Sequence, residues 1–300
     1  MTMTVLVNAG PWLSVPPPGY GGIENVLAAL GPAAPPVLHT LHWDLRKHPE
    51  LYGNVDGGNS LWVNGVSAAQ LATAPAALQA LSVGHVHLAT PLAVDADRRA
   101  AVPKGDHLVV MGRITRVKGQ AVAARLAHRI GIPLVLAGPV GPHHDADSLR
   151  TGTADEDNPD VRYWRDEVEP LVDGRLVRWV GTVQGVERDD LVATARVSLT
   201  PIDWEEPGGT AVVESLALGT PVVGFRRGCL PELIDDGRTG LLVDPGDEAA
   251  LDAAVADAAR LDPADCTRVA ADRFTPGAMA ERYLDLYQEV LVRSGRSVRV

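Results

Sequence analysis

Short apolar runs alternate with amphipathic, alanine-rich segments along this chain. The apolar runs predict strands near residues 5–10, 36–42, 60–66, 85–89, 107–111, 133–137, 176–180, 197–201, 221–225 and 240–243. The segments between them predict helices near residues 23–30, 68–73, 119–130, 188–195, 209–218, 248–261 and 278–292. Strands and helices that alternate at this spacing are typical of α/β proteins with parallel, doubly wound sheets, which bind ligands beyond the carboxyl ends of their strands.

A charged, loop-like stretch at residues 95–106 interrupts this alternation. We therefore predict an N-terminal domain over residues 1–104 and a C-terminal domain over residues 105–277. The closing helix, about residues 278–295, is expected to pack back on the N-terminal domain.

Composition and charge narrow the class of protein. The 300 residues are 46% hydrophobic and carry a net charge of −11, which argues against a nucleic-acid binder and against adhesion to anionic membranes. Cys229 and Cys266 are too few for a disulfide framework and fit a reducing compartment. The start of the chain has no signal-peptide pattern, and no apolar run reaches about 18 residues, so we expect a cytoplasmic protein without membrane insertion.

Two cations follow the strand predicted at residues 107–111. Arg113 and Lys118 lie between its end and the start of the next helix, where free N–H groups attract anions. A guanidinium fork and an ammonium point charge together suit a diphosphate. Lysine is rare here, with three among 27 Lys and Arg residues, which favours a site over ordinary surface charge.

Two carboxylates flank the glycine turn after the strand at residues 197–201. Glu206 precedes the turn, Glu214 lies inside the following helix, and Gly208 and Gly209 allow a ligand to approach the backbone closely. Carboxylates suit the vicinal hydroxyls of sugars, and a general acid/base pair is the competing functional interpretation. A solvated helix position is the structural alternative for Glu214.

The ordered motifs resemble retaining GT-B enzymes of glycosyltransferase family 4. They are Glu206-x7-Glu214 and the segments 12–22, 112–119, 219–223, 228–232 and 236–243. The resemblance covers residues 107–245 and 4–30 well, and implies two Rossmann-like domains, of which the N-terminal one is reduced.

The resemblance also implies roles for individual side chains. Arg113 and Lys118 would neutralise the leaving nucleotide, Glu206 would contact the donor sugar, and Glu214 would hold the ribose hydroxyls. Residues that would contact the donor mainly through their backbone or beside its base are Gly21, Gly22, Val183, Gly208, Gly209 and Thr210.

The implied activity is metal-independent, retaining hexosyl transfer from a nucleoside-diphosphate sugar of UDP, GDP or TDP type to a hydroxyl acceptor, without a cofactor. A catalytically weak or inactive sugar-nucleotide binder of the same fold is the alternative. The polar loop at residues 143–147, with two histidines and two aspartates, is interpreted as solvated surface in preference to a metal site.

The N-terminal third departs from the family pattern, because several βα units are missing before the strand at residues 36–42. The histidine that contacts the donor sugar in the family has no direct counterpart. His42 is the expected replacement, with His39 as the alternative and a structural histidine as the third interpretation. Four aromatic residues, either an acceptor platform or core, are Trp12, Tyr20, Trp43 and Tyr52. A homodimer that covers exposed apolar edge surface is a further expectation.

Overall fold

Two parallel sheets organise the part of the chain that the computed structural model describes, which comprises residues 36–46, 52, 53, 55, 58, 60–96, 102–151 and 157–295. The described residues divide into two compact units: residues 36–86 with 281–295, and residues 87–280. Gly21, Gly22 and the elements predicted near residues 5–10 and 23–30 lie outside the described residues.

The smaller unit contains a three-stranded sheet. Its strands β1 (Val37–Thr40), β2 (Leu61–Gly65) and β3 (Ser82–His85) are parallel, with β2 in the middle. Helices α1 (Ala68–Ala72) and α2 (Ala76–Leu81) connect β2 to β3. The strand predicted at residues 85–89 is wrong in position, because the pairing with β2 ends at His85 and residues 87 onwards belong to the larger unit.

The end of the chain packs on this small sheet. Thr40 Oγ1 lies 3.0 Å from the hydroxyl of Tyr283, and the indole N–H of Trp62 donates to Ser294 Oγ at 3.0 Å. The core of the small unit consists of Leu41, Leu45, Tyr52, Val63, Ala74 and Leu78. Residues 281–295 therefore complete the N-terminal unit after the chain has passed through the larger one.

The larger unit contains a six-stranded parallel sheet in the order β6-β5-β4-β7-β8-β9. The strands are β4 (Leu108–Met111), β5 (Leu134–Ala137), β6 (Val177–Trp179), β7 (Val197–Thr200), β8 (Val222–Phe225) and β9 (Gly240–Val243). They are rich in valine and leucine because helices cover both faces of such a sheet. The strand order reverses between β4 and β7, so a binding crevice is expected beyond their carboxyl ends.

Helices lie in the connections of the larger sheet and after its last strand. They are α3 (Gln120–Ile130), α4 (Ala146–Thr151), α5 (Pro159–Tyr163), α6 (Gly185–Ala193), α7 (Thr210–Ala217), α8 (Leu230–Leu233), α9 (Glu248–Ala258), α10 (Pro263–Arg273) and α11 (Pro276–Arg293). The pattern analysis did not predict α10, although Asp262 caps it and Pro263 occupies its first turn. Within the described ranges, no helix has both the length and the apolar character that crossing a membrane requires.

Candidate functional site

The loops after β4 and β7 touch at the point where the strand order reverses. Gly119 begins α3 in the left-handed conformation, with φ 74°, and a Cβ at this position would lie 2.0 Å from the carbonyl oxygen of Pro201. A side chain would therefore push the two loops apart. This close approach brings Lys118, which immediately precedes Gly119, beside the segment 204–206.

Lys118 and Glu206 form an ion pair in this crevice. Lys118 Nζ contacts Glu206 Oε2, and the Nε1–H of Trp204 donates to the same oxygen at 3.1 Å. The ammonium also lies 5.2 Å from the centroid of the Trp204 ring, within the range of a cation–π contact. Only 26% of the Lys118 side chain and 13% of the Glu206 side chain are exposed, so solvent screens this pair less than a surface ion pair.

Arg113 lies on the same loop but in a different environment. Its side chain is exposed and forms no ion pair with any part of the chain that the structure describes. The loop itself is held by the fully buried side chain of Gln120. The amide of Gln120 donates to the carbonyl of Arg113 at 2.8 Å and accepts from the N–H of Thr115 at 3.3 Å. A fixed loop thus presents a guanidinium that is free to bind an anion.

The N-terminus of α7 opens beside Glu206. In the described ranges, the N–H groups of Gly208, Gly209 and Thr210 donate no intramolecular hydrogen bond. Gly209 has φ 59°, and a Cβ there would lie 2.6 Å from Leu233 Cδ1. Free N–H groups at a helix N-terminus attract phosphate and hydroxyl oxygens, and the helix dipole adds to this attraction.

Glu205, the residue before Glu206, holds the loop in place. Glu205 accepts the Gly228 N–H at 2.7 Å and the Arg227 Nη1 at 3.2 Å. The carbonyl of Glu206 accepts the N–H of Cys229 at 2.9 Å. The segment 227–229 therefore clamps the loop, and leaves the carboxylate of Glu206 to Lys118 and Trp204.

Glu214 lies on α7 and pairs with a cation from α6. Arg188 Nη1 donates to Glu214 Oε1 at 3.1 Å. Burial raises the pKa of Glu214 above its ordinary value, and the guanidinium of Arg188 opposes this shift. Val183 is half-buried in the loop that leads into α6. The side chain of Glu214 is 25% exposed and paired with Arg188, which argues against the structural alternative of a solvated helix residue.

The predicted residues of the small unit lie at and after the end of β1. His39 and His42 have exposed side chains, and partial desolvation by surrounding protein lowers the pKa of each. Of the possible platform residues, Trp43 is 62% exposed and Tyr52 belongs to the core. Trp12 and Tyr20 lie outside the described residues.

The carboxylates of the polar loop at residues 143–147 bind groups that lie close to them in the sequence. Asp145 accepts the N–H of Ser148 at 2.7 Å, and Asp147 pairs with Arg150 on the same helix at 2.8 Å. His144 Nδ1 lies 2.9 Å from Thr182 Oγ1. These contacts fit the interpretation of a solvated loop that packs on the segment after β6.

Sequence reasoning missed three residues that shape the site, namely Trp204, Arg188 and Gln120. Trp204 lies two positions before Glu206, and an indole can donate a hydrogen bond to a carboxylate, so its position carried a usable signal. Arg188 lies in the first turn of the helix that follows the loop of Val183. Gln120 carried no signal, because its burial is visible only in the fold.

A cavity of about 310 Å³ borders the same loops. Its lining includes Gly119 and Pro201 but none of Arg113, Lys118, Glu206 or Glu214. Its three arginines are paired: Arg116 with Glu167, Arg125 with Glu248, and Arg227 with Asp203 and Glu205. We therefore place the candidate site at the free N-terminus of α7 and not in this cavity.

Comparison with known proteins agrees with this picture. The model of a family described as glycosyl transferases group 1 matches residues 95–270. The alpha-maltose-1-phosphate synthase of Mycolicibacterium smegmatis is 30% identical over 197 residues, which are 60% of this chain and 47% of that protein. The chain spans about half or less of the length of the curated relatives that head this comparison.

Among solved structures, AviGT4, a glycosyltransferase involved in avilamycin A biosynthesis, is 28% identical with a TM-score of 0.62, over 88% of this chain and 71% of its own. HepE of Anabaena in complex with UDP-glucose is 18% identical, with a TM-score of 0.61 over 85% of this chain and 72% of its own. The predicted α/β fold of the GT-B kind, and the predicted family resemblance, are confirmed.

Proposed function

Because this chain belongs to the family of glycosyl transferases group 1, we propose that it moves a sugar from a nucleoside-diphosphate sugar to a hydroxyl acceptor with retention of anomeric configuration. The observation that carries this proposal is the Lys118–Glu206–Trp204 cluster beside the free N–H groups of α7. The cluster and these N–H groups together supply positive charge, a carboxylate and backbone hydrogen-bond donors at the point where the strand order of the larger sheet reverses.

The leaving group of this reaction is a nucleoside diphosphate. As the bond between the anomeric carbon and the phosphate oxygen breaks, its electron pair passes to that oxygen, so negative charge grows there. Arg113, Lys118 and the N-terminus of α7 are the groups that would stabilise this charge. The acceptor hydroxyl attacks from the same face and gives its proton to the departing phosphate oxygen.

The carboxylates of Glu206 and Glu214 bind the other parts of the donor. Glu206 accepts hydrogen bonds from the hydroxyls of the transferred sugar, and Glu214 accepts them from the ribose. Val183 lies beside the base. The complex of HepE with UDP-glucose supports a donor of this class, because that protein has the same fold. UDP, GDP and TDP are the candidate nucleotides.

The two halves of the chain have separate tasks in this proposal. Residues 105–277 bind the donor. The smaller unit, residues 36–86 with 281–295, forms the acceptor side. The two buried, unpaired cysteines fit a cytoplasmic protein. A homodimer formed through the small N-terminal unit would appear as twice the mass of 31.7 kDa in light scattering.

A second candidate function is sugar-nucleotide binding without transfer. It is favoured by the small first sheet, which has three strands within the described residues. Both candidates predict donor binding, and only the first predicts a glycosylated product. Incubating the protein with a radiolabelled sugar nucleotide and a panel of hydroxyl acceptors separates them. The anomeric configuration of any product, read by NMR, tests retention.

The first test of the donor site is a thermal-shift panel with UDP, GDP, TDP and ADP. A ligand that binds only the folded state stabilises it by about 2.7 kcal/mol at a hundredfold excess over Kd. We expect one nucleotide to raise the Tm of the wild type, and this shift to be lost in Lys118→Ala and Glu214→Ala. The matched control is Arg116→Ala, which removes a cation two residues from Lys118 that is already paired with Glu167.

Failure of all four nucleotides to shift the Tm at millimolar concentration would contradict the donor site itself. An equal loss in Arg116→Ala would instead indicate a nonspecific effect of charge.

A further inference from the structure

Arg188 is a half-buried cation that the proposed reaction does not use directly. It lies in the first turn of α6, and its Nη1 donates to Glu214 Oε1 at 3.1 Å. Its Nε and Nη2 donate to Asp189 Oδ1 at 3.1 and 2.8 Å. Three of its five N–H groups are therefore directed at two carboxylates, which restricts the orientation of the guanidinium.

This contact differs from the surface ion pairs of the same unit. The side chains of Arg188 and Glu214 are 29% and 25% exposed, whereas those of Arg150 and Asp147 are 76% and 87% exposed. Exposed pairs are screened and contribute little, whereas a partly buried pair is screened less, so the charge of Arg188 favours the ionised form of Glu214 more strongly. Burial raises the pKa of Glu214, and Arg188 opposes this shift.

The pair leaves part of the carboxylate available. Glu214 Oε1 accepts from Arg188, and Oε2 accepts no hydrogen bond from the described residues. An ionised carboxylate has about four lone-pair sites, so one bond to Arg188 leaves enough for two vicinal hydroxyls. Because α6 and α7 each supply one partner, the contact also fixes the direction in which those sites point.

We propose that Arg188 is a positioning residue for ribose recognition: by fixing the carboxylate of Glu214 from α6, it makes nucleotide binding depend on the ribose hydroxyls. This inference rests on the proposed function, in which Glu214 binds the ribose. Arg188 itself does not contact the nucleotide. Its removal should therefore weaken the binding of ligands with ribose hydroxyls and leave the binding of ligands without them unchanged.

The test compares UDP with 2′,3′-dideoxy-UDP by calorimetry, with the corresponding guanosine pair in parallel. The proteins are the wild type, Arg188→Met, Arg188→Lys, Glu214→Gln and the double variant Arg188→Met/Glu214→Gln. Arg178→Met, which removes an exposed arginine from β6, is the matched control. Ligand-free Tm values identify any variant that is unfolded, and Arg188→Lys provides a second variant that retains the charge.

We expect the wild type to prefer the ribonucleotide, and Arg188→Met to reduce that preference by about tenfold, as for loss of a charged hydrogen bond. The affinity for the dideoxynucleotide should not change, Arg188→Lys should restore part of the preference, and Arg188→Met should have no further effect in the Glu214→Gln background.

Two results would overturn the inference while the proposed function stands. One is an equal loss of affinity for both nucleotides in Arg188→Met, which would mean that Arg188 contacts the nucleotide elsewhere. The other is an unchanged ribose preference. If neither UDP nor GDP binds the wild type, the proposed function fails and the inference fails with it.

Discussion

Two carboxylate–cation pairs of the larger unit have similar burial but a different expected fate on donor binding. Lys118 with Glu206 is 26% and 13% exposed, and Arg188 with Glu214 is 29% and 25% exposed. In the proposed reaction both members of the first pair bind the donor, whereas only Glu214 of the second pair does. The first pair must therefore exchange partners on donor binding, and the second must persist.

The contacts around each pair fit this difference. Glu206 accepts a second hydrogen bond, from Trp204, so its carboxylate keeps a donor when Lys118 moves to a phosphate. Arg188 is held by Asp189 as well as by Glu214, so three of its five N–H groups already have carboxylate partners. Two ion pairs with similarly exposed side chains can thus differ in that one breaks when the donor binds and the other persists.

The largest expected effect comes from removing the cation of the exchanging pair. In Lys118→Met, the leaving phosphate loses a charge that stabilises the transition state. We expect kcat/KM for sugar transfer to fall by about a hundredfold or more, as when one preorganised donor is removed. Steady-state transfer kinetics check this value.

Arg116→Met is the matched control, because Arg116 lies on the same turn but pairs with Glu167. We expect it to retain near wild-type kinetics. A Lys118→Met enzyme that transfers sugar at the wild-type rate would show that Lys118 only pairs with Glu206, and the two ion pairs would then not differ in the way proposed.

The second largest effect is expected when the indole N–H of Trp204 is removed. Trp204→Phe keeps a ring beside Lys118 but removes the N–H that donates to Glu206. Once Lys118 has moved to the phosphate, Glu206 would lack its remaining protein donor. We expect kcat with the sugar nucleotide to fall by about tenfold, which corresponds to one hydrogen bond to a charged group, while the affinity for the nucleoside diphosphate alone is retained.

Trp62→Phe is the control, since it removes an indole hydrogen bond to Ser294 in the smaller unit. Loss of nucleoside diphosphate affinity in Trp204→Phe would argue against the model, because it would mean that Trp204 supports the phosphate side and not the sugar side.

Strong local patterns explain why much of the larger unit could be predicted from sequence. Most of the strands β4 to β9 are short runs of valine and leucine with glycine or proline near one end, although β6 contains the exposed Arg178. Helix α10 was missed because its alanine, arginine and aspartate residues give a weak apolar stripe, although Asp262 and Pro263 mark its start. β3 was displaced because Val86 and Leu88 continue the alternating pattern beyond the last pairing with β2.

The site could be predicted in part for a similar reason. The four predicted residues follow the ends of β4 and β7, where the strand order reverses, so their neighbourhood is set by chain order; they are Arg113, Lys118, Glu206 and Glu214. The ion-pair partners of these residues are not set by chain order. Lys118 and Glu206 are 88 positions apart, and Arg188 and Glu214 are 26 apart, so each pairing depends on how two loops or two helices pack. The roles of the four predicted residues stay predictions, as do those of His42, Gly21 and Gly22.

The smallest expected effect is a dependence of nucleotide binding on pH at the persistent pair. Burial raises the pKa of Glu214, so its carboxylate protonates at a higher pH than an ordinary glutamate and then accepts fewer hydrogen bonds from ribose. UDP affinity should therefore fall as pH is lowered from 8 to 5.5.

The charged groups that face Glu214 are Arg188, which opposes the shift, and Asp189, which adds to it. The phosphate of UDP also titrates near pH 6, so the informative quantity is the ratio of wild-type to Glu214→Gln affinity, which we expect to decline by about threefold, as for the loss of one weak hydrogen bond. In Arg188→Met the decline should begin at higher pH, because the opposing cation is absent. A ratio that stays flat in both backgrounds would mean that the charge of Glu214 does not contribute to ribose binding, and the second ion pair would then be structural only.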